Sequence, residues 1–266
     1  MNKNDSLGDR MKSYENISRI YLTRRCPIII RIDGKAFHSF TKGFKRPFDD
    51  ILIRSMQETA KYLCENIMGC KIAYTQSDEI SLLLVDYEKI ESQAWFENNL
   101  QKIVSVAASM ATMYFNRKFE DNAVAYYCDT GDDVLNISYT KARYSGAMFD
   151  TRAFIIPKEE VCNYFIWRQQ DATRNSILMV AQANFSRKEL QGKNCNVLQD
   201  MLHEEKGINW NDFDTVYKRG SCIVKEKYML ETPEEVYLRT RWIIDKDIPI
   251  FTQDRNYIDK HVMLEE

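Results

Sequence analysis

The chain has 266 residues, 44% of them hydrophobic and 29% charged, enough apolar side chain for one large or two small domains to close a core without staples. Its 37 basic and 39 acidic side chains give a formal net charge of -2, which excludes a generally basic nucleic-acid coat and confines any RNA contact to a local face. Three histidines argue against a multi-histidine zinc site, and seven cysteines with no C-x-x-C pair and no signal peptide fit a reduced, cytoplasmic protein. No apolar run reaches the ~18 residues that cross a bilayer, so no membrane contact is expected.

In the polar first 25 residues, Tyr14, Ile17, Ile20, Tyr21 and Leu22 recur at helical spacing and predict an amphipathic helix with a packing role. Ile28, Ile29, Ile30 and Ile32 then form a β-branched run typical of a buried strand, with Asp33 at its end and Gly34 after it. A carboxylate there is held rigidly, and the glycine frees the following N–H groups to point at a phosphate. Residues 41–50 read as a basic and aromatic loop (Lys42, Phe44, Lys45, Arg46, Phe48) around Pro47. Asp49 or Asp50 caps the next helix, whose stripe is Leu52, Met56, Ala60, Leu63 and Ile67 and whose end is at Gly69.

Two apolar segments, Ile72-Ala73-Tyr74-Thr75 and Ile80-Ser81-Leu82-Leu83-Leu84-Val85, flank Gln76-Ser77-Asp78-Glu79 and predict a β-hairpin with the acidic pair at its tip. A helical stripe of Leu100, Ile103, Val104, Ala107, Ala111, Tyr114 and Phe115 covers 95–117, residues 122–150 read as an irregular excursion, and Arg152 to Ile156 precede Pro157 as a strand. The resulting βαββαβ order is the ferredoxin-like α+β plan used by polymerase palms, an antiparallel sheet with two helices on one face. In it Asp33 and Asp78 become neighbours despite their separation. The domain reading is a palm-like unit at 1–157 and a C-terminal region at 158–266 packed on it. That region is expected to hold helices around 161–168, 175–185 and 196–206, strands about a basic turn at 215–224, and further strand character over 226–250.

Two carboxylates beside a phosphate-accommodating turn suit Mg²⁺, which takes one or two carboxylates plus substrate phosphates; two such ions would support an in-line phosphoryl displacement. Arg168, Arg174, Lys188, Lys193, Lys218 and Arg219 are the candidate contacts to an RNA backbone.

Six blocks in order carry a resemblance. Arg31-Ile32-Asp33-Gly34-Lys35-Ala36-Phe37-His38, Arg46-Pro47, Gln76-Ser77-Asp78-Glu79-Ile80-Ser81, Phe149-Asp150-x-Arg152, Trp167-Arg168-Gln169 and Tyr217-Lys218-Arg219-Gly220 together resemble the tRNA(His) guanylyltransferase family. The resemblance implies a palm that adds nucleotides to the 5′ end of tRNA in the 3′-to-5′ direction with two Mg²⁺ ions, using ATP for 5′ activation and GTP or another NTP as the added unit. It implies Asp33 and Asp78 as metal ligands, the Gly34 carbonyl as a third, and Glu79 as an essential acidic partner. The triphosphate would be held by backbone groups of Gly34, Lys35, Ala36, Phe37 and His38, with Ser77, Arg46 and Lys102 as further nucleotide contacts. It also implies a homotetramer.

One departure is informative: after Trp167-Arg168-Gln169-Gln170-Asp171 the chain reads Ala172-Thr173-Arg174-Asn175, without the family's histidine. That points to the Thg1-like branch, which repairs truncated tRNA 5′ ends by template-directed addition, over strict guanylate addition to tRNA(His). The rival readings are a palm-type cyclase acting on NTP alone and a non-catalytic tRNA-binding protein that keeps the fold.

Overall fold

The computed structural model describes residues 6–231 and 236–263. The strands β1 (Ile28–Gly34), β2 (Cys70–Gln76), β3 (Glu79–Leu84), β4 (Phe149–Ile155), β5 (Ser221–Glu231) and β6 (Val236–Asp245) form one sheet in the order β4-β1-β3-β2-β5-β6. Every pairing is antiparallel. The first four strands, with the helices between them, are the expected βαββαβ unit. Its two central strands, β1 and β3, are buried on both faces, which is why they read as continuous apolar runs.

Alternation along the strands sends Ile28, Ile30, Ile32, Leu82 and Leu84 to one face, where α3 (Asp50–Asn66) and α4 (Leu100–Thr130) cover them with Met56, Leu63, Ile103 and Phe115. Ile29, Tyr74, Leu83 and Val85 point to the other face and are covered by Val161, Cys162 and Phe165 of α6 (Lys158–Asn184). Two helices on a single face therefore describe only half of the arrangement, because α6 closes the second. A third apolar cluster joins the far half of α6, through Ile177 and Val180, to Leu198 and Leu202 of α8 (Cys195–Lys206).

The stretch 122–150 is not irregular. α4 runs through it to Thr130, ended by Gly131 at φ 65°, and α5 (Asp133–Ser145) follows, its first turn capped by Asp132 accepting from the Leu135 N–H. Its apolar residues are split between buried Ala123, Tyr139 and Ala142 and exposed Val124, Tyr127, Val134 and Ile137, so no single stripe marks the helices. α6 is likewise one helix where two were expected. Its central Arg168 and Gln169 are polar but buried, and the polar interruption hides the continuity.

Residues 215–219 form a short helix, α9 (Thr215–Arg219), in place of the expected first strand of a turn. Gly220 then takes φ +80°, and a Cβ there would stand 2.4 Å from the Thr75 carbonyl oxygen, so only glycine lets β5 join β2. β5 and β6 carry the strand character expected from 226 as far as Asp245; residues 246–250 are not strand, and positions 232–235 lie outside the described residues. The N-terminal helix, α1 (Ser6–Ile17), stops before the end of the expected stripe; of that stripe only Leu22, beyond the helix, packs against the core, while Tyr14, Ile17, Ile20 and Tyr21 are exposed.

Candidate active site

Asp33 is the penultimate residue of β1, and its cross-strand partner on β3 is Glu79. The hairpin between β2 and β3 turns on Ser77, at φ +50°, and Asp78. The Gly34 N–H donates to the Asp78 carbonyl at 3.1 Å, which fastens the hairpin tip to the end of β1. Asp33, Asp78 and Glu79 are thus gathered from two distant stretches of sequence. Burial is the main cause that raises the Asp78 carboxyl above the usual range; hydrogen bonds, one from Ser77, oppose it and the Asp33 charge adds to it. Among the described residues neither Asp33 nor Asp78 is ion-paired. No cluster of three or more His, Cys, Asp or Glu side chains arranged to hold a metal occurs among the described residues. A two-carboxylate pair of this kind fits Mg²⁺, which completes its shell with water and substrate phosphate.

Glu79 has a different surrounding. It is 6% exposed and accepts a bidentate pair from Arg168 of α6, Nε at 2.7 Å and Nη2 at 2.8 Å. Burial raises the Glu79 carboxyl and Arg168 pulls it back down. Arg168 also donates to Asp171 at 2.9 Å, and Asp171 accepts from exposed Arg174 at 2.6 Å. Arg168 is therefore not an RNA-backbone contact as its charge suggested: it is buried and its donors are engaged with Glu79 and Asp171. Of the other candidate RNA residues, Arg174, Lys188 and Lys193 are exposed, while Lys218 and Arg219 are half-buried around α9. One acid was missed. Asp150 is the partner of Asp33 on β4, on the same face by strand alternation; only the strand order reveals it.

Beyond the hairpin tip lies a cleft of about 570 Å³, within the range of small-molecule sites. Gly34, Ala36, Phe37, His38, Arg46, Ser77 and Asp78 all line it. Gly34 serves here by its lack of a side chain, since a Cβ would meet the Phe37 ring at 2.2 Å, and the left-handed residue of the turn is Ala36, at φ 54°. The Gly34 and Lys35 amides are already engaged, with Asp78 and Met148, so the amides left for a phosphate are those that follow, which start the short helix α2 (Phe37–Phe40) and have no intrahelical acceptor. The Phe37 ring itself is buried in the core. Lys45, Leu52, Met179 and Gln182 also line the cleft. No local motif marks Met179 and Gln182, which α6 delivers from the second face of the sheet.

The loop carrying Lys45 and Arg46 is organised by buried Asp49, which accepts from the Leu52 N–H at 2.9 Å, the Lys45 N–H at 3.0 Å and the Tyr139 hydroxyl at 2.8 Å. Lys102 does not reach this cleft. Thr112 of α4 accepts from the N–H of Phe149, the partner of Gly34, and Lys102 lies ten residues earlier, about 15 Å back along the helix at 1.5 Å per residue. An acidic end beside a phosphate-sized turn, a partly apolar wall and two cations opposite make a cleft suited to a nucleoside triphosphate and to phosphoryl chemistry.

Residues 8–157 match the family model described as tRNAHis guanylyltransferase. The chain belongs to the tRNA(His) guanylyltransferase family. It is 30% identical over 247 residues to a probable tRNA(His) guanylyltransferase of Dictyostelium discoideum, covering 88% of each chain. Among solved structures it is similar to a bacterial tRNA(His) guanylyltransferase (Thg1)-like protein in complex with ATP, at 50% identity and a TM-score of 0.82, covering 98% of this chain and all of that one. It is also similar to such a protein in complex with GTP, at 48% identity and a TM-score of 0.79 over the same shares. Membership makes the chain a nucleotidyltransferase, and the α+β fold is that of the guanylyltransferase family.

Proposed function

We propose that this nucleotidyltransferase adds nucleotides in the 3′-to-5′ direction to the 5′ end of tRNA, in a Mg²⁺-dependent reaction that repairs truncated ends. The observation that carries the reading is the juxtaposition of Asp33 with Asp78, neither with a cationic partner, where Asp78 lines a nucleotide-sized cleft. The ATP and GTP complexes of the bacterial Thg1-like relatives support nucleoside triphosphates as ligands. In the activation step an oxygen of the RNA 5′-monophosphate attacks the α-phosphorus of ATP and pyrophosphate leaves; a 5′-triphosphate needs no such step. The 3′-hydroxyl of the incoming NTP then attacks the RNA 5′ phosphorus, a new phosphodiester forms, AMP or pyrophosphate leaves, and the hydroxyl proton passes to solvent.

Asp33 and Asp78, with the Gly34 carbonyl, would hold the metal. When bound, Mg²⁺ neutralises phosphate charge and polarises the reacting phosphoryl group. Lys45 and Arg46 orient the triphosphate from the opposite wall, and the amides after Lys35 fix its position. Glu79, held by Arg168, keeps the hairpin strand in register beside Asp33. Residues 1–157 supply this palm-type chemistry and 158–266 the RNA contacts. A homotetramer belongs to the same reading and is supported by exposed Tyr14, Ile17, Ile20, Val134 and Tyr144.

The test is extension of tRNAs that differ in the base opposite the added nucleotide. Product whose 5′ nucleotide follows the template supports repair; G added whatever the template means strict tRNA(His) guanylylation. Nucleotide product formed without RNA would overturn the assignment in favour of a cyclase.

A further inference from the structure

Residues 41–49 contain no helix or strand, yet they bring Lys45 and Arg46 to the wall of the cleft. Side chains on such a loop orient a triphosphate to the degree that packing and hydrogen bonds hold the loop in place. The support comes from α5. At Gly43, φ +87°, the loop passes so close to that helix that a Cβ would stand 2.6 Å from the Ser138 Oγ. Phe44 sets its ring edge-on to Tyr139 at 5.0 Å and stacks on Phe119 at 5.5 Å.

Asp49 closes the loop. It is 5% exposed, and among the described residues no cation pairs with it, the Lys45 ammonium going instead to Asp50 at 3.6 Å. A buried carboxylate without a cation is held by hydrogen bonds alone. Two of those it accepts are local, from the N–H groups of Lys45 and Leu52; another comes from the Tyr139 hydroxyl, 90 positions away. One oxygen, Oδ2, accepts from both the Lys45 N–H and the Tyr139 hydroxyl, so the phenol bears on the backbone of the cation loop through a single atom. Tyr139 is fully buried and fixed by the rings of Phe44, Phe119 and Tyr126. Burial, with the Asp49 charge adding to it, pushes the phenol well above its ordinary range, so the hydroxyl stays a donor.

We propose that Tyr139 is a positioning residue for nucleotide binding: through Asp49 its hydroxyl sets the arrangement of the 41–49 loop in which Lys45 and Arg46 face the triphosphate. The inference rests on the nucleotidyl-transfer reading and adds to it a residue that does not itself line the cleft. Without the hydroxyl, Asp49 Oδ2 keeps the Lys45 N–H alone, and the loop takes up arrangements that turn its two cations from the cleft. Apparent affinity for the nucleotide falls by the fraction of molecules left in the competent arrangement. Bound ATP selects that arrangement again, and Asp33 and Asp78 stand on strand and hairpin ends that the loop does not carry, so the step after binding is spared.

The test compares full-length wild-type protein with Tyr139→Phe, which keeps the ring and its packing. ATP affinity is measured by isothermal titration calorimetry with Mg²⁺ present, and ATP-dependent extension on a 5′-monophosphorylated tRNA lacking its first nucleotide. Tyr139→Phe is expected to raise the Kd and the KM for ATP about tenfold, the order set by losing a hydrogen bond to a charged group, with kcat within about twofold. Tyr126→Phe is the control: it removes another hydroxyl from the same ring cluster, one that donates to Asp132 at 3.2 Å rather than to the loop, and should leave the ATP affinity unchanged. An ATP Kd indifferent to Tyr139→Phe, an equal loss with Tyr126→Phe, or a fall in kcat as steep as the fall in affinity overturns the assignment. Wild-type protein that binds ATP, and loses affinity with Tyr139→Phe, but extends no RNA overturns the nucleotidyl-transfer reading alone.

Discussion

Arg168 is the side chain on which the acidic site depends most. A carboxylate as buried as Glu79 is tolerated only with a paired, hydrogen-bonded cation. Arg168→Met is expected to cost about 3–5 kcal/mol of stability, because it leaves that charge unpaired. It should also lower kcat for nucleotide addition about 100-fold with little change in the KM for NTP, as a displaced acidic neighbour does. Urea unfolding and steady-state kinetics check both, and the double variant Glu79→Gln/Arg168→Met should recover part of the stability but none of the rate. Asp78 shows the opposite balance, since burial and the nearby Asp33 charge disfavour its ionised form. Asp78→Asn is therefore expected to raise the stability of the metal-free protein by about 0.5–2 kcal/mol while abolishing activity, read as a higher Tm that no longer responds to Mg²⁺. A third residue sets an acid limit away from the site. Burial lowers the pKa of His261 from 6.5 to about 4, so the folded state binds fewer protons than the unfolded state between those values. Stability then rises with pH through that window and is lost as pH falls from 6.5 toward 4, by about 3 kcal/mol in all. His261→Gln should flatten the part of the acid slope, measured by urea unfolding at pH 4 to 7, that this residue contributes.

Elements whose burial follows one period were legible in the sequence. The Ile28–Ile32 run, the hairpin about Ser77 and Asp78, the Asp49 cap and the helix around 196–206 all stand where local chemistry put them. Asp33 and Asp78 came together because the βαββαβ order pairs β1 with β3, which local pattern and topology together predict. α4, α5 and α6 were obscured for a common reason: their apolar residues face more than one neighbour, or a polar residue is buried for a purpose that the sequence does not display. Arg168 looked like a surface cation because nothing near it in sequence announces Glu79, 89 positions away. Lys102 looked close to the site because position within a family pattern ignores the rise of the helix that carries it. Asp150, Met179 and Gln182 enter only when β4 and α6 take their places. The junction of α9 and β5 is a direct check on this arrangement. Gly220→Ala places a Cβ against the Thr75 carbonyl at a positive φ and is expected to destabilise the protein by about 1–3 kcal/mol, with hydrogen exchange rising first along β2 and β5.

The six-stranded sheet explains how one chain holds two kinds of surface. Its βαββαβ half fixes the acids and the phosphate turn on rigid strand ends, while α6 crosses the second face, grips Glu79 with one half and walls the cleft with the other. The most direct measurement of the central claim is extension of a 5′-triphosphorylated tRNA lacking its first nucleotide, with labelled NTPs and Mg²⁺, by the wild-type protein and by Asp78→Ala. The account predicts a 5′-extended product from the wild type that disappears with Asp78→Ala and when EDTA removes the metal. No 5′ extension by the wild type, or undiminished extension by Asp78→Ala, would contradict it.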